Sequence, residues 1–331
     1  MTDPHKNSFD LLRLFAAVLV LYSHQHVLLG MVEPRLFNWT TLGGAGVAIF
    51  FFLSGFLVWS TWVRDPELKR FFVRRSLRIF PVLWFVVLLT VLVSVLFSRL
   101  VASDYFSLSE TWRYLNSSLL VVRRGLPDVF VDNPNPFAVN GSLWTLPVEF
   151  LYCESVAFIG SVSLVQWNWL MAVSLGLVVL AAAFGPSITG DRFIPNLKMV
   201  AILWWGTIFR FVRGRPAAEK KMWAMGLGLA FLVFVFLESR GVERAGTLAF
   251  AVALVLIAQR VSWGSLVTDR LGDLSCGMYI FVLPVQQTVV ALVSPLDWSF
   301  GAHLGVSFLA TSALAYGSWY LLEKCSLRFK P

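Results

Sequence analysis

The sequence predicts an all-α, polytopic membrane helical bundle of about ten transmembrane helices with both termini cytoplasmic. Three observations carry that prediction. Apolar residues make up 57% of the 331 and charged residues 14%, too few charges to clothe a water-soluble globule of this size. The apolar residues fall in runs of about 17 to 25, the length that lets a helix satisfy its own backbone groups across lipid. Lys and Arg concentrate in alternate connections, which sets the orientation.

Phe9 to His26, FDLLRLFAAVLVLYSHQH, supplies the first span. It is longer than a signal-peptide core and no small-residue cleavage site follows, so it reads as a retained helix. Asp10, Arg13 and His24 lie in it or at its edge, where ionisable groups are costly and mark function. Arg13 and His24 are eleven positions apart (24 − 13), close to three turns of about 3.6 residues, so they share one face. Asp10, three positions before Arg13, extends the same stripe.

The spans follow at 9–29, 43–63, 79–97, 143–163, 167–184, 195–212, 221–237, 245–260, 272–293 and 302–322. An even number returns both termini to one side. With the N-terminus in the cytoplasm, Lys69, Arg70, Arg74, Arg75, Arg78, Arg213, Arg215, Lys220 and Lys221 fall inside, and Arg35, Arg99 and Arg192 outside. The chain thus reads as a single multi-pass domain over 1–331, surrounded by membrane lipids, with no soluble domain appended after Pro331.

The connection 98–142 is the one long loop, extracytoplasmic in this topology, and contains the turn-rich PDVFVDNPNPFAVNG. It is either a functional platform or lid, or a connector. Thr111 to Val122 is semi-apolar and suits a short interfacial helix.

Other classes recede on composition. The net charge of +8 is scattered between apolar runs rather than gathered in a stripe, which argues against nucleic acid. Cys153, Cys276 and Cys325 show no paired or His-rich spacing, so neither a disulfide framework nor a metal site is expected. No repeat of 20 to 50 residues and no inverted repeat is visible.

The second span opens GGAGVAIFFFLSGFLVW, whose glycines and Ser54-Gly55 suit close helix packing. Beyond it, Arg75 and Arg78 stand at i and i+3 before Pro81. Two readings stand for that pair: a positive cluster that orients the protein, or forked donors for phosphate oxygens.

Four segments in order, DLLRLFAAVLVLYSH, GVAIFFFLSGFLV, RRSLRIFP and NGSLWTLPVEF, resemble the acyltransferase-3 family of integral membrane enzymes. GDLSCGMYIFVLPVQQ is similar to the family's late motif, with Cys276 in place of the first aromatic and Val282 where many members carry histidine. The resemblance spans essentially the whole chain and is strongest to the branch that acetylates exopolysaccharide and lipopolysaccharide sugars. It implies acyl transfer, commonly of acetyl from acetyl-CoA, to an extracytoplasmic carbohydrate or glycolipid, in the inner (plasma) membrane. It implies functional roles for Arg13 and His24, for the pair Arg75 and Arg78 with Arg74 beside them, and for Glu149, which closes the Trp144, Leu146, Glu149 motif.

Beside that resemblance, the expected chemistry is as follows. His24 lies fifteen positions beyond Phe9, about 22 Å along the helix and in the outer half of the bilayer. It is the expected general base for an acceptor hydroxyl. Arg13, Arg74, Arg75 and Arg78 are expected to hold acyl-CoA from the cytoplasmic side. Glu149, opening the fourth span from its outer end, is expected at the depth of His24, orienting its imidazole or the hydroxyl. Glu154 is a candidate partner for Arg13. Asp10, Trp144, Tyr152, Tyr279 and Gln286 are candidate substrate contacts, with interfacial aromatic packing as the competing role for the rings. The rival readings are a transporter or flippase using Asp10, Arg13 and Glu149 as coupling groups, and a catalytically silent assembly partner.

Overall fold

The computed structural model describes residues 8–37, 39–136, 138–162, 194–214, 216–217, 241–260, 272–293, 296 and 298–330. The spans expected at 167–184 and 221–237, with Arg192, Arg215, Lys220 and Lys221, lie outside the described residues.

Ten α-helices of five residues or more organise the described part: α1 (Phe9–Leu28), α2 (Leu42–Arg64), α3 (Leu68–Ser94), α4 (Ala102–Ser107), α5 (Ser109–Arg113), α6 (Thr145–Val162), α7 (Ile194–Arg213), α8 (Gly241–Arg260), α9 (Ser275–Val293) and α10 (Phe300–Ser318). Phe9–Leu28, Leu42–Arg64, Leu68–Phe97 and Ser275–Val293 are the four described helices long and apolar enough to cross a membrane. The protein is therefore an all-α membrane protein. Helices α6, α7, α8 and α10 lie at the positions of the other expected spans within the described part, without being among the four helices long and apolar enough to cross a membrane.

α1 and α2 lie antiparallel, and their register is fixed at both ends. The Gly43 amide donates to Ser23 Oγ at 2.8 Å, while the rings of Phe9 and Phe56 meet edge to face at 5.7 Å. One end of the bundle thus holds Ser23 and Gly43, and the other Phe9, Arg13 and Phe56. A short hairpin of β1 (Arg35–Leu36) and β2 (Thr40–Thr41) joins the two helices. Thr41 caps α2, its Oγ1 accepting from the Gly44 amide at 3.0 Å. On its far side α2 packs against α7, where a Cβ at Gly55 would collide with the Leu203 carbonyl. The packing role expected for this glycine is what the fold uses.

The connection 98–142 is built and packed rather than structureless. It holds α4, α5 and a 3-10 turn over Tyr114–Leu119, in place of one helix over Thr111 to Val122. Tyr105 and Tyr114 are fully buried in a cluster with Val86, Val87 and Val91 of α3. Tyr105 donates to the Val91 carbonyl at 3.1 Å, and Trp84 of α3 donates to the Ser118 carbonyl at 3.1 Å. Burial holds the Tyr105 hydroxyl un-ionised, its pKa raised to about 12.

From Asn133 to Asn140 the described residues run along α9 without helix. Asn133 Nδ2 donates to Gln287 Oε1 at 2.7 Å, and Gln287 Nε2 donates to the carbonyls of Asn135 and Ala138, both at 2.9 Å. Asn140 Nδ2 then reaches the Ile280 carbonyl at 3.0 Å. Pro284, within α9, has no N–H to offer that carbonyl, so the asparagine satisfies the group that the proline leaves free. Gln287 and Ile280 are seven positions apart, so the segment travels about 10 Å along α9 before α6 begins. Irregular backbone is tolerated at such depth where it is buried in protein and its polar groups are paired.

Candidate active site

Charge enters the site from three helices. Arg13 on α1 is buried, with Nη1 3.3 Å from Asp10 Oδ1 and 3.7 Å from Asp273 Oδ2. Arg78 on α3 forms an ion pair with the same Asp273 oxygen. The other oxygen, Oδ1, accepts from the Ser275 amide at 3.3 Å and from the Ser275 hydroxyl, capping α9. One carboxylate therefore ties together α1, α3 and α9. Buried guanidiniums need such a partner, because an uncompensated buried charge is strongly destabilising.

Arg75 and Arg78, at i and i+3 on α3, both line a cavity with Arg13, Ser54, Glu149 and Tyr279. Its empty volume is about 660 Å³ including the open mouth. Among the described residues no ion pair engages Arg75, whose guanidinium lies 5.7 Å from the Phe71 ring centre. Arg74, one position before Arg75, instead pairs with Asp65 in the α2–α3 turn, where Arg70 also approaches at 3.6 Å. The hydrogen bond from Arg74 holds the Asp65 carboxyl below the usual carboxylate range. Arg74 is thus a turn clamp, outside the cavity lining.

Glu149 lies with the arginines. Its Oε1 accepts from Ser54 Oγ at 2.8 Å, and Ser54 is two positions from Phe56, which packs on Phe9. The carboxylate is therefore at the Arg13 end of α1, not at the depth of His24 as expected. The expectation started the fourth span at the membrane surface. In the structure Asn133 contacts α9 at Gln287 and Asn140 contacts it at Ile280, so the described residues between them run along α9 before α6 begins.

His24 stands apart, eleven positions from Arg13, or about 16 Å along the axis. Among the described residues its buried Nδ1 has no hydrogen-bond partner. Beside it, Gln286 Nε2 donates to the Leu21 carbonyl at 2.8 Å and to Gln25 Oε1 at 2.9 Å, binding α9 to α1. Gln286 is a helix tie and does not line the cavity.

The aromatic candidates divide. Tyr279 lines the cavity, with its hydroxyl 3.1 Å from Thr145 Oγ1. Tyr152 is buried outside it and donates to the Leu203 carbonyl at 3.1 Å, fastening α6 to α7. Trp144 stacks on Phe51 at 6.3 Å. Among the described residues Arg13 pairs with Asp10 and Asp273 and not with Glu154, whose buried Oε1 has no hydrogen-bond partner there.

Asp273 is the residue that sequence reasoning passed over. A signal was present: an acid two positions before Ser275, at the start of an apolar span, is a helix-capping pattern. Nothing local says that two arginines from other helices converge on it. Among the described residues no group of three or more His, Cys, Asp or Glu side chains is placed to hold a metal ion.

An acyltransferase-domain family profile matches residues 6–321. The chain belongs to this acyltransferase family. The enzyme is 30% identical over 331 residues to an O-acetyl transferase of Shigella phage Sf6, covering 97% of this chain and 96% of that one. It is 28% identical to nodulation protein 10 of Rhizobium leguminosarum bv. viciae, covering 98% and 94% of the two chains. A putative peptidoglycan O-acetyltransferase of Bacillus subtilis, YrhL, is 25% identical over 95% of this acyltransferase, which spans 54% of that longer protein. No solved structure matches. Membership decides against the transporter reading, since the chemistry of the family is group transfer.

Proposed function

We propose that this acyltransferase moves an acetyl group from cytoplasmic acetyl-CoA to a hydroxyl of an envelope glycan or glycolipid on the opposite membrane face. The observation that carries the reading is the division of α1: Arg13 belongs to an arginine-lined cavity, and His24, on the same helical face, offers a buried Nδ1, without a hydrogen-bond partner among the described residues, about 16 Å away. The names of the relatives, two of them O-acetyltransferases, support the choice of acetyl and of a glycan acceptor.

In this reading Arg75 and Arg78 present forked donors to the donor's phosphates. Arg13 and Glu149 set the charge of the cavity wall, and Arg74 supports the turn behind it. The donor's arm carries the thioester towards His24. The acceptor hydroxyl oxygen forms the new bond to the acyl carbon as His24 takes its proton, and the carbon–sulfur bond breaks. The proton then neutralises the departing thiolate. The bundle has ten spans with both termini cytoplasmic in the inner membrane, and residues 1–331 act as one domain. Lys69, Arg70 and Arg74 at the cavity end agree with that orientation.

The test uses protein purified in detergent, labelled acetyl-CoA, and glycan extracted from cells that lack the gene. Label is expected on glycan hydroxyls, released by mild base. Absence of transfer to that unmodified glycan would contradict the reading.

A further inference from the structure

The end of α1 that carries His24 also carries a positioned carboxylate, Glu33. Three features place it. Ser23, the residue before His24, donates its hydroxyl to Glu33 Oε1 and accepts from the Gly43 amide at 2.8 Å. A Cβ at Gly43 would lie 2.9 Å from Ser23 Oγ and 3.2 Å from Glu33 Oε1, so the start of α2 leaves room for that pair only without a side chain. Directly after Glu33, the hairpin pairs Arg35 with Thr41, and the Leu42 amide reaches the Pro34 carbonyl at 2.9 Å. The loop is closed behind the carboxylate, which is half-buried, and among the described residues no hydrogen bond or ion pair reaches Oε2.

We propose that Glu33 is an acceptor-binding residue, accepting hydrogen bonds from hydroxyl groups of the sugar unit whose reacting hydroxyl lies at His24. This rests on the acyl-transfer reading above. Ser23 and His24 are adjacent, so their side chains leave α1 about 100° apart at one level, and the tethered carboxylate and the imidazole flank the same end of the helix. A carboxylate accepts from neutral hydroxyls and repels phosphate. The ligand class is therefore a neutral polyhydroxy compound, and the donor's phosphates are left to the arginines at the other end. Ser23 occupies one oxygen and fixes the other, which lowers the cost of ordering on binding.

Initial rates of acetyl transfer are measured against the concentration of glycan from gene-deleted cells at saturating acetyl-CoA, for wild type, Glu33→Gln, Glu33→Asp and Gly43→Ala. Glu33→Gln is expected to raise the acceptor KM at least tenfold with acetyl-CoA affinity within twofold of wild type. Glu33→Asp is expected to fall between the two. Gly43→Ala keeps every charge, yet is expected to raise the acceptor KM because its Cβ displaces the Ser23–Glu33 pair. An unchanged acceptor KM in Glu33→Gln overturns the proposal. So does equal loss of acetyl-CoA binding, which would mark Glu33 as structural. If the wild-type protein transfers nothing, it is the acyl-transfer reading that fails.

Discussion

Arg78 and Asp273, 195 positions apart in the chain, form an ion pair at the N-terminal end of α9, and the same Asp273 oxygen lies 3.7 Å from Arg13. This contact assembles the cavity, because it brings the first, third and ninth helices to one point.

Asp273→Asn keeps the shape of the site and removes the charge that compensates two guanidiniums. It is expected to cost about 3 kcal/mol of stability, the scale for breaking a buried pair, and to raise the acetyl-CoA KM at least tenfold. Asp273→Glu restores the charge and is expected to recover part of both. Thermal unfolding in detergent and donor titration read the two effects.

Glu149 sits with Ser54 and the arginines, so its removal is expected to act on the donor. Glu149→Gln should change acetyl-CoA affinity while the pH dependence of transfer keeps its wild-type midpoint. A shifted midpoint with unchanged donor affinity would place Glu149 beside His24 after all. Ser54→Ala, which removes the hydrogen bond alone, is expected to cost about 1.5 kcal/mol, as for a bond to a charged group.

Acid acts on the turn between α2 and α3. The Asp65 carboxyl is held below its ordinary value, first by the hydrogen bond from Arg74. A carboxylate whose folded pKa is depressed contributes stability that is fully present above the ordinary value near 3.9 and lost as pH falls through the lowered value. Asp65→Asn is expected to flatten that part of the stability profile between about pH 5 and pH 2. Melting temperatures of both proteins across the range check it.

Much of this architecture was legible before any coordinates. Length and apolar content place α1, α2, α3 and α9, and the i, i+3 spacing puts Arg75 and Arg78 on one face, whereas the pairing of Arg74 with Asp65 is a tertiary contact that spacing does not show. Helical periodicity likewise put Arg13 and His24 in one stripe. What sequence could not reveal depended on contacts between distant segments. The depth of Glu149 was misread because spans are counted from the membrane surface, whereas Asn133, Asn140 and Gln287 hold a non-helical descent that no periodicity marks. The convergence on Asp273 and the tether on Glu33 are tertiary in the same sense. The packing of the connection 98–142 is not legible in its sequence because its buried tyrosines find their partners on α3.

The central claim is that one face of α1 separates donor binding at its Arg13 end from proton abstraction at His24. It is tested most directly by purified His24→Ala, with acetyl transfer and acetyl-CoA affinity measured on the same preparation. The account predicts that transfer falls by about 10²–10⁴-fold, the contribution typical of a positioned general base, while donor affinity stays within twofold of wild type. Transfer at the wild-type rate in that variant would contradict it.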